Sequence, residues 1–452
     1  MEGIEKRIAN RVQEAGGRAY YVGGFVRDRL LGIGSKDVDI EIHGITPDQL
    51  ISILKEFGEP LSFGQSFGIY SLRGQDIDIA MPRRERASAA AEGSARGHRD
   101  FEIEVDPFIG TYEAAKRRDF TFNALMEDVL TGDIVDHFGG MDDLRAGIIR
   151  HIDDKTFVED PLRVLRAAQF AARFEMTPAP ETVELCRSID LGALSRERLE
   201  EELRKALLKA DKPSIFFNVL REMDQLSVWF PELEQLIGIE QDPVFHPEGD
   251  VWVHTMEVID RAAAYRDKVS DPYAFMLLAL THDLGKITTT EFVKGRIHAY
   301  EHEIEGVPLA ETLLKRITGE KAVTDYVLNM LPLHMRPNIA AYSKPSVKST
   351  NKMFDAAIAP EDLIYFAIAD RPVFSGEERF TGDTDFLLER LEMYRKMMAE
   401  PYVMGRDLIE AGLAPGKEFS ELLAYAHKLR LAGIDKENAL KQVLAQARKK
   451  KK

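Results

Sequence analysis

A single cysteine, Cys186, excludes any intrachain disulfide and suits a reducing compartment. It falls in a helical pattern and reads as a small core residue. Long apolar runs are missing as well, so no segment is expected to span a bilayer. The start, Met1-Glu2-Gly3-Ile4-Glu5-Lys6, lacks the basic and then apolar layout of a secretory leader. These absences predict a cytoplasmic protein without a membrane partner. Net positive charge is absent too: the balance is −16. An acidic total argues at first against nucleic acid, but local cationic stripes set phosphate affinity. Three such stripes exist: Arg83-Arg84-Glu85-Arg86, Lys116-Arg117-Arg118 and the tail from Arg448 to Lys452. The last reads more simply as a frayed, solvated end. The 452 residues exceed one hydrophobic core, and about two to four domains are expected.

What is present is concentrated near the start. Tyr21-Val22-Gly23-Gly24-Phe25-Val26-Arg27-Asp28 reads as a short apolar strand whose double glycine opens a helix. Asp37-Val38-Asp39-Ile40 follows as a strand, and alternation puts both acids on one face. Neighbouring carboxylates repel unless a cation sits between them. Magnesium with a phosphate-bearing substrate is the natural solution, and glycines at a helix start let backbone N–H groups approach an anion. Alone, a Gly-Gly is a turn and an Asp-x-Asp a solvated strand end. Together, in this order, they describe a nucleotidyl-transfer site in which two ions clamp the attacking and leaving oxygens.

With these residues the sequence resembles the class II nucleotidyltransferases of the polymerase-beta superfamily, which include tRNA CCA-adding enzymes and bacterial poly(A) polymerases. The resemblance implies an α+β protein: a nucleotidyltransferase head over 1–150, a helical neck over 151–237, a second catalytic domain over 238–390 and a helical tail over 391–452. It implies that Asp37 and Asp39 hold magnesium, with Asp78 as a third acid on the adjacent strand; a strand-edge acid facing water is the plainer reading of Asp78. Gly23, Gly24 and Arg27 would cradle phosphate. Arg117-Arg118-Asp119 resembles the family's second motif: two guanidiniums suit a triphosphate, Asp119 would face the ribose 2′-OH, and Asn123 completes the nucleotide-binding set. Residues 83–106, polar and rich in alanine and glycine, are expected as a functional loop or disorder. In this family a flexible loop there contributes to the switch from adding C to adding A. Val135 to Leu144 resembles the third motif, a hinge.

Helix patterns are expected over 1–19 (Ile4, Ile8, Val12) and from Pro47 to Phe57, and strands over Ile69–Leu72 and Ile77–Ala80. Glu159-Asp160-Pro161-Leu162-Arg163 starts another helix, with Asp160 as cap and proline at its first turn. A capped helix with an Asp160–Arg163 pair explains this plainly. The functional reading uses both side chains on one base: cytosine and adenine each present an amino donor beside a ring acceptor, which a carboxylate and a guanidinium match. Uracil and guanine present the reverse and leave buried groups unpaired. The resemblance places its base-reading motif here, with Arg166 one turn on. Ser195-Arg196-Glu197-Arg198 opens a helix through Leu199, Leu203 and Leu207 that resembles the fifth motif.

Gly238 to Gly249 reads as a linker with two prolines. Beyond it, Trp252-Val253-His254-Thr255 and Thr281-His282-Asp283-Leu284-Gly285-Lys286 place a histidine and a His-Asp pair on helices. Imidazole with carboxylate suits a transition metal. His254, His282, Asp283 and Asp370, in that order, resemble the HD phosphohydrolase superfamily, and the run His246-Pro247-Glu248-Gly249-Asp250 through His254 also resembles that architecture. His302 and His334 are further candidates, though each alone reads as a core histidine. Some CCA-adding enzymes carry such a domain, which acts on 2′,3′-cyclic phosphates and phosphomonoesters. From Pro401 on, two short helices are expected.

The expected function is template-independent addition of the 3′-terminal CCA to tRNA from CTP and ATP, with a phosphohydrolase activity. The rivals are an A-adding or CC-adding partial enzyme, a poly(A) polymerase, and an RNA-binding protein with a decayed head. Oligomeric state is not legible.

Overall fold

The computed structural model describes residues 3–34, 38–62, 68–87, 101–371 and 383–450. The chain divides into two compact units, residues 1–203 with 215–228 and residues 204–214 with 229–452.

The first unit carries the sheet. Its strands are β1 (Arg18–Val22), β2 (Val38–His43), β3 (Pro60–Ser62), β4 (Ile69–Leu72), β5 (Ile77–Ala80), β6 (Arg83–Ala87), β7 (Phe101–Val105), β8 (Met126–Asp128) and β9 (Ile134–Val135). Seven of them form one mixed sheet in the order β3-β4-β5-β2-β1-β8-β9. Only β2 and β5 run parallel within it, with Val38 opposite Ile77 and Asp39 opposite Asp78. The expected helix and strand patterns are found. Ile4–Glu14 buries Ile8, Ala9 and Val12. Pro47–Lys55 buries Leu50, Ile53 and Leu54 and is closed by a Thr46–Gln49 capping box.

Residues 83–106 depart from the loop expectation. β6 and β7 pair antiparallel from Arg83↔Val105 to Ala87↔Phe101, and Arg84 Nε donates to Asp106 Oδ2 at 2.6 Å. β7, Phe101-Glu102-Ile103-Glu104-Val105, has the apolar alternation of a strand, and the polar β6 can join it because the ladder is a backbone interaction. Residues 88–100 lie outside the described residues.

Helix Leu162–Phe174 buries a continuous face that includes Val164, Leu165, Ala168 and Phe170. Pro180–Arg187 buries Cys186, as its pattern implied.

Among its described residues the second unit is helical apart from the hairpin Thr290–Val293/Arg296–Ala299. At its centre Pro272–Thr281 is buried on every side from Tyr273 on, and Asp271 caps it by accepting from Ala274 N. A helix buried all round has no polar face. The C-terminal part holds three helices, not two: Gly405–Glu410, Glu418–Leu431 and Lys436–Lys450. They enclose a core of Val403, Leu408, Leu422, Ala426, Ala439, Val443 and Ala447. The basic tail is thus helical as far as Lys450, where a frayed end was expected. Among the described residues no helix is long and apolar enough to cross a membrane.

Candidate active sites

In the first unit the acids meet as the strand register dictates. Asp39 and Asp78 sit opposite each other on adjacent parallel strands, Asp39 half-buried and Asp78 exposed. Asp37 lies outside the described residues. Gly23 has φ 65° and ψ −133° at the turn from β1 into helix Gly24–Leu30. A Cβ there would lie 3.2 Å from Arg118 Nη1 and 3.9 Å from Asp39 Oδ2, so glycine serves both the conformation and the approach.

The arginines are held from below. Arg118 Nη2 bonds Glu41 Oε2 at 3.2 Å, and His43 Nε2 lies 2.8 Å from Glu41 Oε1. Burial works to raise the Glu41 pKa, but His43 and Arg118 outweigh it and hold the carboxyl below its ordinary value. Arg117 Nη1 donates to the Arg83 carbonyl at 3.2 Å. Arg27 is buried, with Nε donating to Asp28 Oδ1 and Nη1 to Asn123 Oδ1, both at 2.8 Å. Its guanidinium lies over the Phe170 and Phe174 rings at 5.0 and 4.8 Å. Asn123 Nδ2 donates to Asp119 Oδ1 at 2.9 Å, and Arg166 donates to Asp119 Oδ2 from Nε at 2.7 Å. Against its burial, Arg166, Asn123 and the Phe120 N–H hold Asp119 below the usual carboxylate range. Gly23, Arg118, Asp39 and Asp78 thus cluster at the sheet, and Arg27, Asn123, Asp119 and Arg166 form one chain of contacts.

At the start of helix Leu162–Phe174, Asp160 and Arg163, expected as a pair, each reach further partners. Asp160 Oδ1 accepts from Leu162 N at 3.1 Å, and Arg198 Nη2 donates to both Asp160 oxygens at 2.9 Å. Arg163 donates to the carbonyls of Thr156 at 2.7 Å and Arg117 at 2.8 Å. Two carbonyls offer a fork-shaped guanidinium two good acceptors without spending a carboxylate. Arg198 is a partner missed as such; its place in the Ser-Arg-Glu-Arg run is the only sequence signal.

In the second unit, His254 comes from helix Val251–Ala263, and His282-Asp283 lie just past the end of Pro272–Thr281 rather than within it. His302 starts helix His302–Ile317, His334 precedes Met335–Ser343, and Asp370 ends Pro360–Asp370. Donor atoms of His254, His282 and Asp370 lie within 4.8 Å of one another, as do those of Asp283, His302 and His334. His254 Nε2 is 3.1 Å from Asp370 Oδ1 and 3.6 Å from Asp283 Oδ2; His302 Nε2 is 3.3 Å from Asp283 Oδ1. Asp283 therefore faces both triads. The Nδ1 atoms of His282, His302 and His334 lie 2.7–2.9 Å from the carbonyls of Ala279, Ala299 and Leu331. Glu248 Oε1 lies 2.7 Å from His254 Nδ1 and 3.0 Å from His246 Nδ1. The supposed linker thus supplies an orienting carboxylate that composition alone disguises. Lys286 Nζ sits 2.7 Å from Asp283 Oδ2 and donates to Gln241 at 2.7 Å.

The donor set fits a divalent cation. Every Nε2 converges while Nδ1 is engaged by an acceptor, the arrangement that orients ligating histidines. Burial pulls His282 down, but Asp283 and Asp370 prevail and lift it to about 10. Burial and the nearby His282 push His334 down to about 3. Asp283 and Asp370 stay well below the carboxylate range despite burial, through His282 and Lys286 for the first and His254 and His282 for the second. Two buried carboxylates facing imidazoles demand positive charge at this centre. The triads open on a cavity of about 720 Å³.

Residues 19–150 match the family model described as the poly A polymerase head domain, and residues 251–371 match the HD domain. The multifunctional CCA protein of Actinobacillus pleuropneumoniae is 36% identical over 344 residues, 75% of this chain and 79% of that protein. The protein of the same description from Nitrosomonas eutropha is 39% identical over 333 residues, 73% and 76% of the two chains. Among solved structures, the Thermotoga maritima CCA-adding enzyme complexed with tRNA aligns over 98% of this chain and 95% of its own, with TM-score 0.65 and 22% identity. A CCA-adding enzyme complexed with ATP aligns over the same shares with TM-score 0.66 and 22% identity, a likeness of fold.

Proposed function

This chain belongs to the family of multifunctional CCA proteins, and from that membership we propose that it adds and repairs the 3′-terminal CCA of tRNA, using CTP and ATP without a nucleic-acid template. The observation that carries the reading is the register of Asp39 with Asp78 beside Gly23 and Arg118. Asp37, Asp39 and Asp78 are the residues that would hold magnesium. Bound there, magnesium supplies charge neutralisation for the triphosphate and favours the ionised 3′-hydroxyl. The chain itself positions the reactants. Gly23 and Gly24 leave room for phosphate against backbone, and Arg117 and Arg118 face it with guanidiniums. Asp119 sets the ribose side, anchored by Asn123 and Arg166. Asp160 accepts from the amino group of C or A, and Arg163 donates to the ring acceptor. The tRNA 3′-hydroxyl then attacks the α-phosphate in line and pyrophosphate leaves, with positioning and fixed charge supplying most of the rate. A tRNA substrate makes the cytoplasm the place of action.

The second unit is proposed to be a metal-dependent phosphohydrolase. His254, His282, Asp283 and Asp370 would hold a divalent transition metal, with His302 and His334 as the second triad's ligands; the metal supplies an activated water. Two adjacent triads, with Asp283 a member of one and facing the histidines of the other, favour a pair of ions.

The test is incorporation on tRNAs ending at the discriminator base, at C and at CC, each with CTP, ATP or both. Addition of CCA and then a stop is expected. Only A on the CC end would make the chain an A-adding partner, and an unlimited A tail would make it a poly(A) polymerase. Asp39→Ala is expected to abolish incorporation while tRNA binding survives; retained incorporation would remove the site assignment.

A further inference from the structure

Phe170, on helix Leu162–Phe174, is 4% exposed, and Phe120 and Phe122 meet its ring nearly at right angles, with centroids 5.8 and 5.6 Å away. Two guanidiniums also lie over this ring. Arg166, one turn earlier on the same helix, has its Cζ 5.0 Å from the ring centroid. Arg27, from helix Gly24–Leu30, has its Cζ 5.0 Å from it as well. The two cations hold different parts of the head. Arg166 binds Asp119 Oδ2 through Nε and Nη2, each at 2.7 Å. Arg27 lies against the glycine turn, where a Cβ on Gly24 would come 3.3 Å from its Nη2. Arg27 also donates to Asn123, and Asn123 donates to Asp119. The contacts close on themselves, from Phe170 through Arg27, Asn123, Asp119 and Arg166 back to Phe170.

A core position asks only for apolar volume in a good rotamer. Two cations on one ring ask for a π-face, because the negative face of the ring quadrupole is what draws a guanidinium. The ring therefore fixes a separation. It spaces the glycine turn, which would meet phosphate, from Asp119, which would meet the ribose 2′-hydroxyl. The base-reading pair is anchored elsewhere. Arg163 lies over the Phe157 ring at 5.8 Å and bonds the carbonyls of Thr156 and Arg117, and Asp160 is bonded by Arg198. We propose that Phe170 is a positioning residue for sugar selection. Its π-face holds Arg27 and Arg166 together and so sets Asp119 at the depth of a ribose whose triphosphate lies on the glycine turn, while the choice of base does not pass through it. The proposal rests on the nucleotidyl-transfer reading of the head, to which it adds a residue outside the polar set.

The test changes the face of the ring and leaves its volume. In the full chain, Phe170 is replaced by singly, doubly and triply fluorinated phenylalanine through a suppressed stop codon, and separately by leucine as Phe170→Leu. Fluorine draws electron density from the ring face with little change of size, so the cation contact weakens stepwise. Single-nucleotide addition to a tRNA ending at the discriminator base is measured as kcat and KM with CTP, dCTP and UTP. The preference for CTP over dCTP is expected to fall with each fluorine, about 5-fold by the third, and at least as far in Phe170→Leu. The preference for CTP over UTP is expected to stay at the wild-type value. A sugar preference constant across the fluorinated series would overturn the proposal. Loss of both preferences together would overturn it too, because that marks a ring that only packs, and so would a wild type that takes dCTP as readily as CTP. The fluorinated rings keep the core filled should Phe170→Leu fail to fold. Dissociation constants for CTP and dCTP are taken in parallel by equilibrium dialysis. A wild type that incorporates no nucleotide would defeat the nucleotidyl-transfer reading, and the ratio of those two constants across the series would then decide the part played by the ring.

Discussion

Gly285 lies two residues past Asp283 and packs on the first turn of helix His302–Ile317. A Cβ built there would sit 1.9 Å from the His302 carbonyl oxygen and 2.7 Å from both the His302 carbonyl carbon and the Gly306 amide nitrogen. All three atoms are backbone, so no rotamer relieves the clash. The backbone angles, φ −64° and ψ −20°, are ordinary for alanine, which leaves the close approach as the sole objection. Moving the contact to an ordinary separation near 3.5 Å requires about 1.5 Å of retreat by His302. His302 Nε2 now stands 3.3 Å from Asp283 Oδ1 and 3.3 Å from His334 Nε2. Metal sites tolerate only about 0.2 Å in ligand distance. Gly285→Ala is therefore expected to empty the triad of Asp283, His302 and His334 while the triad of His254, His282 and Asp370 keeps its ion. Overpacking of this kind costs about 1–3 kcal/mol, so the fold survives. Elemental analysis of metal per chain, read beside phosphohydrolase rate and tRNA incorporation, is the assay. Metal content is expected to halve and hydrolysis to fall at least ~10-fold, a loss of about 1.4 kcal/mol in transition-state stabilisation, with CCA addition retained. Full metal content with unchanged hydrolysis would refute both the packing argument and the two-ion reading.

Arg198→Ala removes the donor that fixes both oxygens of Asp160. Because each side chain is about a third exposed, a loss near the lower end of a charge-assisted hydrogen bond, about 1.5 kcal/mol or roughly tenfold, is expected. Single-nucleotide primer extension is expected to show slower CTP and ATP use and more UTP misincorporation; unchanged discrimination would remove Arg198 from base selection. Cys186 is fully buried, and burial pushes its thiol up to about 12. A disulfide reagent at pH 8 is expected to label it only after denaturation, and labelling of the native chain within minutes would contradict that burial. Glu41 is depressed below its unfolded value of 4.5. Its contribution to stability is thus present above that value and is shed as pH falls through the folded pKa. The stability gap between wild type and Glu41→Gln in urea unfolding is expected to close as pH drops below about 4.5, and a gap constant with pH would exclude the ion pair as its source.

The legible part of the molecule was what short spacing controls. Gly23-Gly24 and Asp39 are within twenty residues and their strand–turn–helix–strand pattern is local, so the turn followed; the place of Asp78 on the strand beside Asp39 came from the family resemblance, not from spacing. The pairing of Asp160 with Arg198 spans 38 residues, and no local rule distinguishes it from the adjacent Asp160–Arg163 pair. The contact of Glu248 with His254 was hidden for a different reason: Pro243, Pro247 and Gly249 give its segment the composition of a linker, yet the segment is closed on itself by Asp250, whose Oδ2 accepts from Gly238 N at 2.7 Å. β6 carries no apolar alternation in Arg83-Arg84-Glu85, whereas β7 does, as Phe101-Glu102-Ile103-Glu104-Val105, and was passed over inside a segment whose composition reads as a loop.

The position of the His-Asp pair just past a helix, not inside it, has a chemical reason. The last carbonyls of a helix lack intrahelical partners. Ala279 O is one of these, and it lies 2.9 Å from His282 Nδ1. A carbonyl can only accept, so the proton belongs on Nδ1 and, in the neutral ring, Nε2 is left as a lone pair aimed at the centre. The same spacing recurs at His302 with Ala299 and at His334 with Leu331. At all three histidines this three-residue step selects the tautomer and aims the ligand; at His282 it also satisfies an orphan helix carbonyl. Inside an α-helix the carbonyl three back from His282 would already be bonded along the ladder. That is why three of the four histidines stand at element ends, and why the fourth, His254 within Val251–Ala263, needs a carboxylate from outside its helix, Glu248, for its Nδ1.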